Sequence, residues 1–511
     1  MRPWARKAAI VERDLAAGGG SRRTPQAQGR AGLLPATSEH RTYVARRPHR
    51  EGRSRQGLLL CAQIAALLCV AAPAFADDPK IAFEKYKLAN GLEVVLAPDQ
   101  SVPLVAVNVW YHVGSGDEVV GRSGFAHLFE HMMFQGSKNL CAAFKQNEMC
   151  DKHFEVLRKI GADEVNGTTN SDRTNYYEVV PSNQLETAMW LEADRMGYLL
   201  ELLDRKALDN QIDVVRNERR QRYDNVPYGK SRFALNAALY PEGHPYRYMT
   251  IGKHEDLTAA SVDDVKAFFK TWYVPSNATL TIVGDFDTAE AKKLVDKLFA
   301  SFPTSAKPVE KIIPAPKPKG QTVTVEDGFA KQRQVTFAWH SPGAYKDGDA
   351  ELDVAASALA AEGRGTLYKS LVYDKQLATR VSAGQGGATF SGTFTITVTL
   401  RSDADLAAVQ QIVLDEVKRL SKDLIPDKEL ARVVASNEAW AIRSLENVNS
   451  RANALQGWNH YLGDPGKLSW DLDRYRTTTT EKIRTAIAKY LVSPQVVMVV
   501  TNPAAAAGGA K

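Results

Sequence analysis

The sequence predicts an α+β protein of two tandem homologous halves, each an antiparallel-rich sheet packed with helices. Three observations support this fold class. The chain has 511 residues, of which 44% are hydrophobic and 24% charged, as in globular proteins with room for more than one core. A proline-rich segment divides the chain, and the stretches on its two sides repeat one order of strand, turn and helix.

Positive charge is concentrated at the start of the chain. Residues 1–57 hold thirteen basic and four acidic side chains, a net charge of +9. Because the whole chain carries +6, the remainder carries −3. A chain without a basic domain lacks the electrostatic footprint of nucleic-acid binding, so we expect no nucleic-acid partner. Residues 1–57 are interpreted as a basic leader or as an untranslated upstream extension.

Residues 58–76 have the pattern of a secretory signal peptide. Arginines precede an apolar run that begins at Leu58, and an A-F-A motif ending at Ala76 matches a cleavage site. The run is too short to span a bilayer comfortably as a permanent helix. We expect cleavage after Ala76, no membrane span in the mature chain, and a periplasmic or secreted location in a bacterium.

The mature chain retains two cysteines, Cys141 and Cys150. In an oxidising compartment, two cysteines this close in sequence can close a short loop. We expect a disulfide between them, with two buried thiols as the alternative.

Residues 302–320 form the predicted linker. They include five prolines among nineteen residues, a composition that disfavours both helix and central strand. The halves on either side are residues 78–301 and 321–503. Each opens with a β-rich run that leads through a Gly/Ser turn into a helix, and each closes with an amphipathic helix and a second β-rich run. Residues 504–511 are expected to be a disordered tail.

The first of the opening helices contains the stretch GFAHLFEHMMF. His127 and His131 are four residues apart and share one helix face, with Glu130 directly before the second histidine. Two imidazoles can bind one metal ion, and a neighbouring carboxylate can take a proton from a water that the ion activates. H-x-x-E-H is the inverted form of the H-E-x-x-H zinc motif. The corresponding helix of the second half, ELDVAASALAAEG, has no histidine.

A zinc hydrolase needs a third protein ligand. The segment LDNQIDVVRNERRQ has a helical stripe of apolar residues and offers Glu218, two turns after Gln211. Asp209 and Asp213 are alternative ligands on spacing alone. A solvated helix face is the ordinary explanation for a lone glutamate at such a position.

In this order, GFAHLFEHMMFQGS, GADEVNGTTNSDRTNYYEVVP and VVRNERRQ resemble the insulinase/pitrilysin family of inverzincin zinc metallopeptidases. The resemblance is to the bacterial, mitochondrial-processing-peptidase-like branch and covers nearly all of the mature chain. It implies that His127, His131 and Glu218 bind one zinc ion per chain and that Glu130 is the catalytic base. The family often has a second glutamate where this chain has Gln211.

The resemblance also implies a function. Residues 78–301 would be the catalytic, zinc-binding half and residues 321–503 an inactive homologous half. The protein would be a secreted zinc-dependent metalloendopeptidase that hydrolyses peptides or unfolded protein segments with zinc-activated water. The alternative is a non-catalytic or partner-dependent subunit of a processing-peptidase-like complex.

Peptide substrate in this family pairs as an added strand with a sheet edge beside the zinc. The segment EVNGTT matches that edge strand, so the resemblance places Asn166 and Gly167 against the substrate backbone. An ordinary strand with a glycine bulge is the alternative interpretation.

Family members enclose substrate in a chamber of four such halves, so this chain would form half of a clamshell chamber and a dimer is implied. Many members carry an Arg and a Tyr, seven residues apart in a late half, that grip the substrate. The corresponding positions here are Val372 and Thr379, which cannot donate as Arg and Tyr do. Two assemblies remain open: a homodimer in which Arg364 or Tyr368 takes over, and a heterodimer with a zinc-free family member.

Overall fold

A computed structural model describes residues 78–143, 153–309, 311–314, 316–317 and 319–502. The predicted leader, signal peptide, Cys150 and C-terminal tail lie outside these residues and stay predictions. Among the described helices, each is too short or too polar to span a lipid bilayer.

The first half is built on a mixed sheet. Its strands within the described residues are β1 (Glu84–Lys87), β2 (Glu93–Pro98), β3 (Leu104–Tyr111), β4 (Asp163–Thr169), β5 (Thr174–Pro181) and β6 (Ala278–Gly284). Their order across the sheet is β1-β2-β6-β3-β5-β4. β2 and β6 run parallel, and the other described neighbours run antiparallel. β4 is an edge strand whose partner in this sheet is β5.

The second half repeats this topology. Its strands in the described part of the chain are β7 (Gln321–Glu326), β8 (Gln334–Ser341), β9 (Ala378–Gly387), β10 (Gly392–Leu400) and β11 (Val496–Thr501). The order β7-β11-β8-β10-β9, with β7 and β11 parallel, has the order and directions of β2-β6-β3-β5-β4. Two sheets with one topology confirm the predicted α+β fold of two homologous halves.

Helices follow the same duplicated plan. Those of the first half are α1 (Phe125–Met132), α2 (Lys138–Ala143), α3 (His153–Lys159), α4 (Leu185–Tyr198), α5 (Arg205–Arg219), α6 (Gly229–Leu239), α7 (His254–Thr258), α8 (Val262–Trp272) and α9 (Thr288–Phe299). Those of the second half are α10 (Asp349–Ala360), α11 (Thr366–Tyr368), α12 (Leu406–Leu420), α13 (Asp427–Ser444), α14 (Val448–Leu462), α15 (Leu468–Arg476) and α16 (Thr480–Tyr490). A π-helical turn follows α5 at Arg220–Asp224, and another follows α11 at Lys369–Asp374.

Each sheet is covered on one face by helices of its own half and on the other by a helix of the opposite half. On the first sheet, Ala452 and Leu455 of α14 join Val95 in one apolar cluster. On the second sheet, Leu239 from the end of α6 clusters with Ala338. β3 is therefore buried along nearly its whole length, as expected for a strand with both faces covered. This exchange of helices packs the two halves firmly together.

Residues between α9 and β7 include the predicted linker. Those that the structure describes form neither helix nor strand. Lys311 Nζ donates to the carbonyl oxygens of Gly116 and Glu118, at 3.0 and 3.5 Å, so the segment crosses the first half close to the start of α1. The domain boundaries given above stay predictions.

Candidate metal centre

α1 begins at a glycine and a buried carboxylate. Gly124, at the N-cap, has a left-handed φ of 90°, and a Cβ there would lie 2.9 Å from the Cα of Gly252. Glu118 accepts hydrogen bonds from the backbone N–H groups of Gly124 and Ala126, at 2.9 and 2.8 Å. Burial raises the pKa of Glu118 to about 8, although the two donors act in the opposite direction. Sequence reasoning missed this cap; its signal was an acidic residue shortly before a helix N-terminus.

The motif residues divide between two sides of α1. Phe125, Leu128 and Phe129 are buried in the core of the first half. His127 and His131 lie together on another face, with ring centroids 4.8 Å apart at an interplanar angle of 73°. The i, i+4 spacing thus places the two imidazoles side by side, as the sequence predicted.

α5 brings Glu218 to the histidines. Its Oε2 lies 3.1 Å from His131 Nε2 and 3.6 Å from His127 Nε2. Asp209 and Asp213, the alternatives on spacing, pair instead with Arg205 and Arg216 of their own helix, at 2.6 and 3.8 Å. The geometry therefore favours Glu218 over the two aspartates.

These three side chains fit a metal ion in both chemistry and spacing. In the part of the chain that the structure describes, their ligand atoms form a group within 4.8 Å of one another. Two imidazole nitrogens and a carboxylate oxygen are a donor set that Zn²⁺ accepts, and tetrahedral bonds to them place ligand atoms about 3.3 Å apart. The two distances to Glu218 bracket that value. His127 Nδ1 departs from the usual pattern, because it is buried without a hydrogen-bond partner among the described residues.

Electrostatics favour the cation-binding forms of these ligands. Burial, aided by the charge of His131, lowers the pKa of His127 to about 4, so its ring is neutral at pH 7. Burial would raise the pKa of Glu218, but the hydrogen bond with His131 and nearby positive charge, including that of Arg222, outweigh it and lower the pKa. A neutral imidazole and an ionised carboxylate are the states that bind a metal ion.

Glu130 lies beside the ligands and is held by β4. Its Oε2 accepts a 2.6 Å hydrogen bond from Thr169 Oγ1. Burial raises the pKa of Glu130, although the Thr169 hydroxyl and the charge of His131 oppose the shift. A half-buried carboxylate with raised proton affinity is suited to general-base chemistry.

β4 also holds the two residues expected to contact substrate. Gly167 is buried, and a Cβ there would lie 3.0 Å from both Glu130 Cγ and Phe134 Cε2. Asn166 is exposed, and its Oδ1 accepts the backbone N–H of Gly167 at 2.9 Å. The absence of a side chain at residue 167 lets the edge strand pack against the α1 motif.

The counterpart of this site in the second half lacks its donors. Both α1 and α10 start at a left-handed glycine, Gly124 and Gly348, with φ of 90° and 97°. Counting from these glycines, the positions of the H-x-x-E-H residues are taken by Glu351, Val354 and Ala355. Val354 and Ala355 are completely buried apolar side chains. The repeat therefore presents one candidate metal centre in the described residues, in the first half.

The other residues singled out in the sequence lie in the following elements. Cys141 lies in α2 and is disulfide-bonded, whereas Cys150 lies outside the described residues, so their pairing stays a prediction. Gln211 is buried on α5. Val372 lies in the π-helical turn after α11, and Thr379 lies on β9.

Comparison with known proteins places this site in a family. The model described as "Insulinase (Peptidase family M16)" matches residues 93–242, and that of "Peptidase M16 inactive domain" matches residues 259–437. The chain is 30% identical over 397 residues to "Zinc protease PqqE" of Helicobacter pylori, covering 74% of this chain and 85% of the relative. The chain belongs to the insulinase family, peptidase family M16.

Solved insulinase-family structures share the fold. A protease from Helicobacter pylori superposes with a TM-score of 0.73 at 25% identity, covering 83% of this chain and all of that one. The periplasmic protease PqqL of Escherichia coli gives a TM-score of 0.68 at 17% identity, covering 85% of this chain but 49% of PqqL. This chain therefore spans about half the length of PqqL.

Proposed function

We propose that this protein is an exported zinc-dependent metalloendopeptidase that cleaves peptides or unfolded protein segments. The observation that carries the proposal is the convergence of His127, His131 and Glu218 beside a half-buried Glu130. Membership of the insulinase family and the naming of a relative as a zinc protease support it.

His127 Nε2, His131 Nε2 and Glu218 Oε2 would hold one zinc ion per chain. When bound, zinc supplies a Lewis acid that polarises a scissile carbonyl and lowers the pKa of a water molecule. Glu130 Oε1 takes a proton from the attacking water as the water oxygen bonds to the carbonyl carbon. As the C–N bond breaks, Glu130 gives this proton to the leaving amine nitrogen and is ionised again. Thr169 orients the carboxylate through its other oxygen.

Substrate would add as an extended strand along the free side of β4, next to Asn166 and Gly167. The position of β4 at the sheet edge and its contact with Glu130 support this arrangement. Main-chain pairing gives affinity with little sequence preference, as an enzyme acting on varied unfolded segments requires.

A location and an assembly are also proposed, and the same comparison supports them. An A-F-A signal motif, together with the description of PqqL as periplasmic, supports export to the periplasm. Because the chain spans about half of PqqL, we propose that two chains assemble, as a homodimer or as a heterodimer with a zinc-free family member. Val372 and Thr379 at the expected Arg and Tyr positions favour a partner that supplies these groups, which would make the chain a partner-dependent subunit.

The proposal is tested by metal analysis and peptide cleavage on the purified mature chain. We expect about one zinc per chain. His131→Ala should lose zinc and activity together, whereas Glu130→Gln should keep zinc and lose activity. Glu201→Gln, an exposed substitution in the same half, is the matched control. A Glu130→Gln variant that cleaves at the wild-type rate would show that the proposed base is wrong.

A further inference from the structure

A second cleft lies in the second half, away from the candidate metal centre. It has a volume of about 800 Å³ and lies between α13, α14, α15 and the start of α10. This volume is in the range of small-molecule binding pockets, roughly 300 to 1,000 Å³, and leaves ample room for one side chain of a peptide. The helices around it all belong to the half whose metal-ligand positions have been lost.

Aromatic side chains form part of the walls of the cleft. Trp440 on α13 stands at its edge and is 74% exposed, although burial of such a large ring is strongly favourable. Tyr345 and Tyr475 line the interior and lie against the guanidinium of Arg474, at 4.8 and 5.4 Å from their ring centroids. The cleft thus already holds one cation against aromatic faces, and Trp440 offers another face for a second cation.

The charged groups of the cleft are mainly acidic. Its carboxylates and guanidinium groups belong to Asp349, Asp353, Glu438, Asp471, Arg474 and Arg476. Four carboxylates against two guanidinium groups leave an excess of two negative charges. Arg474 pairs with Asp349 and Asp471, at 3.1 and 2.9 Å, and Arg476 pairs with Glu438. Asp353 accepts a 2.8 Å hydrogen bond from the Tyr475 hydroxyl and has lone pairs for further donors.

The cleft begins next to the far end of the proposed substrate strand. At the start of α14, Asn447 and Asn449 donate to the carboxylate of Glu164 on β4, at 2.8 and 3.1 Å. One turn later on α14, Asn453 lines the cleft. The opposite end of β4 is Thr169, which holds Glu130. An extended chain rises about 3.3 Å per residue, so a peptide along β4 reaches the cleft roughly five to eight residues from its position beside Glu130.

We propose that this cleft is a second substrate subsite that binds a basic side chain of the peptide cleaved at the metal centre. The bound ammonium or guanidinium group lies against Trp440 and donates to Asp353. The inference rests on the proposed function, because it assigns a substrate class to that same site. It gives the inactive half a role in choosing which peptides bind.

The test is peptide binding to the full-length mature protein that carries Glu130→Gln, so that no cleavage is needed. The probes are fluorescein-labelled Ser/Ala peptides of about twelve residues with one Arg, moved position by position, and matched peptides with Gln in its place. We expect Arg to lower Kd at least about fivefold in one narrow window of positions, as one cation–π contact with a charged hydrogen bond allows.

Variants connect this preference to the cleft. Trp440→Ala and Asp353→Asn, each added to Glu130→Gln, should remove the difference between Arg and Gln peptides. Ile442→Ala is the matched control, because Ile442 is also exposed on α13 but is not among the residues that line the cleft. It should keep the full preference.

Other outcomes separate the inference from the proposed function. Equal Kd values for Arg and Gln peptides at every position would overturn the subsite, even if the wild type cleaves them. Light scattering could also show that the oligomer of the Trp440→Ala variant dissociates while the variant keeps the Arg preference. That result would show that a second copy of the chain covers the cleft, and would also overturn the subsite. A clear Arg preference in a wild-type protein without cleavage would support the subsite while the endopeptidase proposal fails.

Discussion

Glu218 uses its two carboxylate oxygens for different partners. Oε2 faces both imidazoles, whereas Oε1 pairs at 2.8 Å with Arg222 in the π-helical turn that follows α5. π-helical turns are frequent at functional sites. Glu218 and Arg222 are four residues apart, a spacing at which helical side chains meet, so the guanidinium can orient the carboxylate, as outer partners of metal ligands do.

A substitution at Glu218 tests the third ligand directly. Glu218→Gln replaces an ionised oxygen donor by a neutral amide, so zinc affinity should fall by more than about 100-fold, beyond the loss typical of changes around the ligands. Zinc affinity is measured by competition with a chromophoric chelator at pH 7. Asp213→Asn, on the same helix with a mostly exposed side chain, should leave it unchanged. Equal zinc retention in the two variants would place the third ligand elsewhere.

At the scale of elements, α4 anchors the segment that follows α1. Asp194 on α4 accepts hydrogen bonds from two side chains at the start of α2. The donors are the Ser137 hydroxyl and, at 2.8 Å, Asn139 Nδ2. Burial raises the pKa of Asp194 from 3.8 to about 6, against the effect of these two donors. The folded protein therefore binds this proton more tightly than the unfolded chain. The stabilisation from protonating Asp194 is complete below pH 3.8 and is lost as the pH rises through about 6.

Asp194→Asn should remove this pH dependence. Between pH 4 and pH 7, the free energy of unfolding of the wild type should fall relative to the variant by roughly 2 kcal/mol, since one pKa unit corresponds to about 1.4 kcal/mol and pH 4 lies just above the unfolded pKa. Denaturant unfolding at several pH values measures the difference. Asp209→Asn, an exposed position on α5, is the control and should follow the wild type. Parallel curves for wild type and Asp194→Asn would contradict the prediction.

What the sequence could predict depends on how local each signal is. The spacing of His127 and His131 specifies a shared helix face, and the apolar stripe before Glu218 specifies which side of α5 faces the core, so both could be found in short segments. The acidic residue Glu118 before the N-terminus of α1 is a weak signal of a helix cap, but the sequence does not specify that its side chain turns back onto the N–H groups of Gly124 and Ala126. Nor does it specify the role of Asp194, which depends on a partner helix that lies 55 residues away along the chain.

For the whole molecule, the second half fixes the start of β4, the proposed substrate strand. Glu164 has a left-handed φ of 48° at an irregularity in the pairing of β4 with β5, a conformation that costs a non-glycine residue about 1 kcal/mol or more. Its carboxylate is held by Asn447 and Asn449, which lie 283 and 285 residues further along the chain. Sequence patterns carry no information on such a contact, which arises from the exchange of α14 between the halves.

Two substitutions at Glu164 test whether this contact sets the geometry of β4. Both Glu164→Ala and Glu164→Gly remove the carboxylate, but alanine retains the strain of a positive φ and glycine does not. If the contact with α14 holds the strand in a strained form, Glu164→Ala should let β4 relax and raise KM for a peptide several-fold, as a loss of about 1 kcal/mol allows. Glu164→Gly should raise KM less, and kcat should change little in either variant, because Glu130 and the three ligands are untouched. Hydrogen exchange of the β4 amides should become faster in both variants, and more so in Glu164→Ala than in Glu164→Gly.

Gln411→Ala, at a side chain exposed on α12, is the control. Equal KM values and equal exchange in the alanine and glycine variants would show that the second half does not set the conformation of β4 through Glu164.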